Sequence, residues 1–434
     1  MEIHVVRPGD TLASVAQSYG VPLAILESDN QLPDPRRLVP GQTLVVRRPI
    51  RLYTVQPGDT LYSIARENGL TPRQLLQRNP ILRGEPAVFT GQTLVLQDAD
   101  SPTQTALVTG YAYPFGDRGV IQRTLPYLSG LIPFTYGIRP DGTLVEPDDL
   151  SLIAAAQQLG VTPVMHLSTL TDEGNFDSSL ASLVLNDLQV QDVVVSAIVE
   201  TMQLRGYQAL DVDFEFIPAQ DAQAYAQFIA RLRDTLRPRG WPVIVALAPK
   251  TSANQPGLLY EGHNYAQLGA AADLVLLMTY EWGYTYGPPM AVAPLPNVRR
   301  VVEYALTEIP ADKILLGIPN YGYDWTLPFV QGESRATSIS NQYAVTLAGD
   351  NNNAVIQYDP TAQAPFFRYT DPAGREHEVW FEDARSIRAK LSLLSRYGLA
   401  GVGYWNLIRP FPQNWLVLAS MYRIRENLSD TVDF

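Results

Sequence analysis

The 434-residue chain contains no cysteine, which excludes disulfides and thiolate metal sites. It has only four histidines, too few for a histidine-rich zinc centre, so no metal and no cofactor is expected. Lysine is scarce: Lys250, Lys313 and Lys390 are the only three among 32 basic residues. The net charge of −12 argues against nucleic acid or an anionic membrane as partner. No apolar run approaches the ~20 residues that span a bilayer. The opening residues, Met1-Glu2-Ile3-His4-Val5, lack the basic start and apolar centre of a secretory signal, so no export signal is expected.

Apolar residues make up 46% of the chain, enough for a large core, and the length calls for more than one folding unit. The most informative stretch is Leu210-Asp211-Val212-Asp213-Phe214-Glu215-Phe216, where apolar and acidic residues alternate. Strict alternation predicts a β-strand, because successive side chains point to opposite faces. Asp211, Asp213 and Glu215 then share one face, at a Cα spacing of about 6.7 Å. Such a row of like charges needs hydrogen bonds or a shared proton. Leu210, Val212, Phe214 and Phe216 demand burial on the other face. Apolar, helix-like runs flank the stretch, from Val193 to Leu204 and from Ala222 to Leu232. A strand covered on both sides, with acids pointing inward, is a candidate catalytic strand.

The first hundred residues hold a repeat with a period of about 49 residues. Arg7-Pro8-Gly9-Asp10-Thr11-Leu12 returns as Gln56-Pro57-Gly58-Asp59-Thr60-Leu61, and Gly41-Gln42-Thr43-Leu44-Val45 as Gly91-Gln92-Thr93-Leu94-Val95. Each copy reads strand, helix, helix, strand. Asp10 or Thr11 can cap the first helix, and Thr71-Pro72 caps and opens the second helix of copy two. The expected copies are 1–48 and 51–97. From 102 to 434, apolar strands alternate with helical stretches such as Leu150–Leu159, Val190–Arg205 and Ala219–Leu236, the pattern of an α/β fold. Strands are expected at Ala106–Tyr111, Gly130–Tyr136, Thr162–Leu167, Ala209–Phe216, Val243–Leu247, Leu274–Tyr280, Ile314–Pro319 and Gly401–Trp405. Such a set fits a (β/α)8 TIM barrel. About 326–380 is too long for one connection. With strand-like pieces such as Ala354–Tyr358, it reads as a small α+β insertion after strand seven.

Two resemblances attach to these residues. The repeats resemble LysM modules, small βααβ units that bind N-acetylglucosamine chains. That resemblance implies a groove between the first turn and the loop before the last strand. Gly9, Asp10, Thr11, Leu12 and Asn30 would serve it in copy one, and Gly58, Asp59, Thr60, Leu61 and Asn79 in copy two. The stretch Gln208-Ala209-Leu210-Asp211-Val212-Asp213-Phe214-Glu215 resembles the Asp-Gly-x-Asp-x-Asp-x-Glu signature of glycoside hydrolase family 18, the chitinase-like family. The last three acids match and the opening pair does not.

The family resemblance implies substrate-assisted, retaining hydrolysis. Glu215 would be the general acid and Asp213 would hold the substrate's acetamide. Asp211 would share a proton or hydrogen bond with Asp213, and Tyr280 would donate to the acetyl oxygen. Met278-Thr279-Tyr280-Glu281-Trp282 resembles the family's Met-x-Tyr-Asp, with Glu281 in place of the acid. Trp405 would floor the sugar site, with Trp282, Tyr111, Asn320 and Tyr321 as further substrate contacts. LysM-like repeats ahead of a chitinase-like barrel resemble the spore-cortex lytic N-acetylglucosaminidases of endospore formers. A spore location and a peptidoglycan or N-acetylglucosamine-containing partner are then expected. The alternatives are a chitinase or endo-β-N-acetylglucosaminidase on another polymer, or a non-catalytic sugar-binding coat protein.

Overall fold

A computed structural model describes residues 1–100, 102–170, 176–351 and 354–428. Each N-terminal copy is a two-stranded antiparallel sheet covered by two helices. In copy one, Glu2–Val5 pairs with Thr43–Val46 around helices Leu12–Tyr19 and Leu23–Asn30. In copy two, Pro49–Thr54 pairs with Thr93–Asp98 around Leu61–Glu67 and Pro72–Arg78. The repeated Thr-x-x-Ser forms a capping box in both, Thr11 with Ser14 and Thr60 with Ser63. The turn before it needs the left-handed region, which Gly9 and Gly58 supply at φ of +90° and +88°.

Eight parallel strands then close into a barrel. In chain order they are Thr105–Ala112, Gly130–Pro133, Thr162–Ser168, Ala209–Asp213, Val243–Leu247, Leu274–Leu277, Ile314–Pro319 and Gly401–Trp405. The eighth pairs with the first, which completes the ring. The strands are near-continuous apolar runs because helices cover their outer face and the packed barrel interior their inner one. At the closing seam, a Cβ on Gly401 would stand 2.0 Å from the Leu107 carbonyl oxygen, so only glycine fits. Among the described residues no single helix is long and apolar enough to cross a membrane.

Three expected strands are shorter in the structure. The second stops at Pro133, the sixth at Leu277 and the fourth at Asp213. Alternation continues to Phe216, but Phe216 adopts φ of +56° and the backbone has already left the ladder. Glu215 therefore sits in the loop above the strand end, not in the strand. Helix Leu188–Arg205 begins earlier than its apolar pattern suggests, because the Asp187 side chain caps it. Residues 219–221 form a short 3₁₀ turn before helix Ala222–Leu236.

The insertion is larger than expected, running from Gly322 to Trp380. Strands Gly322–Thr326, Thr337–Ile339, Gln357–Asp359, Ala364–Thr370 and Glu376–Trp380 form one five-stranded antiparallel sheet, with helix Asn341–Asp350 upon it. The piece expected at Ala354–Tyr358 is a strand only from Gln357. Positions 352 and 353 of the insertion, and the end of the expected barrel span at 429–434, lie outside the described residues.

Both copies pack on the barrel. Arg47 of copy one is buried, pairing with Asp29 at 2.6 Å and reaching Asp98 of copy two at 3.0 Å. Arg73 of copy two projects into the barrel seam, where its guanidinium donates to the carbonyls of Pro126, Leu128, Gly160 and Glu426.

Candidate active site

A cleft of about 920 Å³ opens above the C-terminal ends of the barrel strands. Asp213, Glu215, Tyr280, Glu281, Trp282, Tyr111 and Trp405 all line it. The barrel gathers them because each lies at or just beyond the C-terminal end of a parallel strand, and all those ends point the same way.

The acids sit close enough to interact, beside Tyr111 and His166. Asp211 is fully buried and accepts a hydrogen bond from the Tyr111 hydroxyl at 2.8 Å. His166, on the neighbouring strand, pairs with Asp211 in register. Its Nε2 faces both carboxylates, 3.5 Å from Asp211 and 3.8 Å from Asp213, and hydrogen-bonds neither. Its Nδ1 meets the Thr135 hydroxyl, which also contacts Ser168 Oγ at 3.0 Å. Burial raises Asp211 to about 7; His166 opposes that rise and Asp213 adds to it. Glu215 is pushed up to about 8, first by burial and then by the Asp213 charge. A carboxyl held protonated near neutrality is what a general acid requires.

The loop carrying Glu215 is tied down from below. His263 is fully buried; its Nδ1 accepts the Ala248 N–H at 2.9 Å. Its Nε2 must therefore carry the proton, and it donates to the Phe214 carbonyl at 3.0 Å. Burial lowers His263 to about 4, so it stays neutral and keeps that tautomer.

The Trp405 ring floors the cleft, edge-on to Tyr111 at 5.5 Å and to Phe134 at 5.2 Å. Tyr113 packs beside Trp405 and stacks on the exposed Phe115 at 4.9 Å. Such aromatic faces suit the apolar faces of pyranose rings. Glu281 is drawn back by the Tyr321 hydroxyl and by Tyr323, which donates at 3.1 Å; burial raises its pKa.

Two expected substrate contacts are corrected. Asn320 is buried and its amide donates to the carbonyls of Asn406 and Arg409, both at 2.9 Å. Tyr321 is buried behind Glu281 and orients it. Neither lines the cleft. In the repeats, Asn30 and Asn79 are also corrected. Both are buried, and each amide clamps its second helix to the last strand of its module. Asn30 bonds the carbonyls of Leu26 and Val45 and the N–H of Val45; Asn79 repeats this with Leu75 and Val95. Leu12 and Leu61 are module core. Asp10 and Asp59 fold back on their own turns, accepting the N–H of Arg7 and of Gln56.

His166 and His263 support the site from outside the acidic motif. A signal existed for His166: in Met165-His166-Leu167-Ser168 a buried apolar strand places two polar residues on one face. For His263, in a loop between helices, nothing in the sequence marks a role.

A buried row of acids below an aromatic cleft at the C-terminal rim of a (β/α)8 barrel is the arrangement of a glycosidase site. The chain belongs to glycosyl hydrolases family 18, whose model matches residues 157–409. The LysM domain matches twice, at residues 4–47 and 53–97. The chain is 42% identical over 430 residues to the cortical fragment-lytic enzyme of Bacillus subtilis (strain 168), covering 98% of this chain and 99% of that one. Its structure is similar to that of the spore cortex-lytic enzyme SleL of Bacillus megaterium QM B1551, with a TM-score of 0.82 and 36% identity over 98% of this chain and 99% of that one. The Bacillus cereus SleL structure gives a TM-score of 0.83 at 36% identity, with 98% of each chain covered. The chain is thus a glycoside hydrolase with two LysM modules.

Proposed function

We propose that this enzyme cleaves β-1,4 bonds after N-acetylglucosamine in spore-cortex peptidoglycan and its fragments, by substrate-assisted retaining catalysis. The observation that carries the proposal is the Asp211–Asp213–Glu215 row with Glu215 held protonated in the cleft. It occurs in a chain that matches cortical fragment-lytic enzymes from end to end. Glu215 donates its proton to the glycosidic oxygen as the bond from that oxygen to the anomeric carbon breaks. The substrate's acetamido carbonyl oxygen closes on the anomeric carbon, an intramolecular attack that avoids much of the entropy cost. Asp213 holds the acetamide N–H and faces the positive cyclic intermediate. Tyr280, buried at the cleft wall, donates to the acetyl oxygen. Glu215 then takes a proton from water as that water opens the ring, which restores the acid and retains the anomer. The LysM modules anchor the enzyme to glycan, and the working location is the spore. The test is one incubation each with cortex fragments, chitin oligomers and vegetative peptidoglycan, read by mass spectrometry. Release of fragments ending in N-acetylglucosamine from cortex material is expected. Cleavage of chitin oligomers with cortex fragments left intact would make the enzyme a chitinase instead.

A further inference from the structure

The two modules are internal controls for one another, because their loops before the last strand are built alike. In copy one the Val39 N–H donates to Gln42 Oε1 at 3.0 Å; in copy two Phe89 donates to Gln92 Oε1 at 3.1 Å. The Gly41 N–H reaches Val6 and the Gly91 N–H reaches Val55, at 2.9 and 2.8 Å. Val39 and Phe89 are therefore equivalent, as are Gly41 and Gly91. Their surroundings are opposite. Val39 is 5% exposed and shares an apolar cluster with Ile339, Phe367 and Val379 of the insertion. The Ile356 N–H donates to the Pro40 carbonyl at 3.1 Å, and Arg385 donates to Gly41 at 3.2 Å. A Cβ on Gly41 would stand 1.8 Å from the Ile356 carbonyl oxygen, whereas a Cβ on Gly91 would meet nothing within 4 Å. Phe89 is 71% exposed, and Tyr62, on the first helix of the same copy, is 57% exposed. The position matching Tyr62 in copy one is Ala13.

We infer that the two copies have divided their labour. The groove loop of copy one is filled by the catalytic domain's own insertion, so that copy works as an internal clamp. Glycan is held by copy two alone, on the open face bearing Phe89 and Tyr62. A sugar strand cannot occupy a loop whose backbone already meets Ile356. Two exposed aromatic rings each offer the flat apolar surface that N-acetylhexosamine rings stack on. The inference rests on the reading of the modules as glycan anchors. It limits the chain to one anchoring site, and removes the gain in avidity that two linked sites would supply.

The test uses full-length protein carrying Glu215→Gln, so that polymer survives, with a thiazoline sugar mimic filling the catalytic cleft. Retention on insoluble chitin and on insoluble peptidoglycan is measured for Phe89→Ala, Tyr62→Glu and the matched Ala13→Glu. All three positions are exposed, and an unchanged urea midpoint confirms folding. Retention of Phe89→Ala is expected to fall about tenfold or more, the size of losing a central aromatic anchor. Tyr62→Glu should fall similarly, and Ala13→Glu should match the parent. Amide shifts on adding a soluble N-acetylglucosamine hexamer should fall within 53–97. Equal losses for Ala13→Glu and Tyr62→Glu, or shifts in both copies, would overturn the division of labour. A parent protein retained on neither polymer would instead overturn the anchoring reading itself.

Discussion

Arg73 tests whether the second module and the barrel are one folding unit. Arg73 is 6% exposed, and the partners of its guanidinium are backbone carbonyls of the barrel domain. Three of these bonds are close, to Pro126, Leu128 and Glu426. At about 2 kcal/mol for each hydrogen bond to a charged group, they contribute about 6 kcal/mol gross. Burial works against them, lowering the Arg73 guanidinium well below its ordinary range, to about 10, equivalent to about 3 kcal/mol. The difference leaves about 3 kcal/mol in favour of the docked state. Arg73→Met keeps the apolar stem and deletes the donors. The expected result is a fall in urea midpoint of about 1 M, taking a slope of about 3 kcal/mol per molar. New protease cleavage between residues 97 and 105 should accompany it, as the module loosens from the barrel. An unchanged midpoint and cleavage pattern would refute the reasoning. The seam would then be held by apolar contact, and the desolvation of the guanidinium would cancel its bonds.

Three further outcomes bear on the chemistry. Glu215→Gln should keep the fold and sugar binding and lose about 10²–10⁴ in rate, read as turnover on soluble fragments. Because Glu215 acts in its protonated form, activity should be present below its pKa and fall as pH rises through about 8, seen as the alkaline limb of kcat/KM. A limb at ordinary carboxylate pH would contradict the role that burial and Asp213 give this group. If the acetamide is the nucleophile, a thiazoline mimic should inhibit strongly and Asp213→Asn should cripple turnover. A 2-fluoro glycoside should leave no covalent sugar, and a glycosyl adduct on a peptide containing Asp213 would make that residue the nucleophile.

The sequence by itself determined the periodic and local features. The repeat in the first hundred residues, the capping threonines and the row Asp211, Asp213, Glu215 were legible, because each depends on residues close in the chain. The (β/α)8 order was legible too, since each strand is a buried apolar run between helical stretches. What only the tertiary structure decided depends on neighbours distant in sequence. His166 stands 45 positions before Asp211, yet parallel pairing sets it between two acids. Asn320 and Tyr321 follow a barrel strand end, as substrate contacts would, and turn inward because Asn406, Arg409 and Glu281 claim their polar atoms. Asn30 and Asn79 are ligand contacts only by the LysM resemblance, and a shared position marks any shared constraint. Here that constraint is the buried clamp between helix and strand. The two modules share the Pro-Gly-Asp-Thr-Leu turn and the Gly-Gln-Thr-Leu-Val strand. Which of these shared turns and loops is covered was decided where the insertion folds back over copy one, because exposure belongs to the assembled surface and not to the segment.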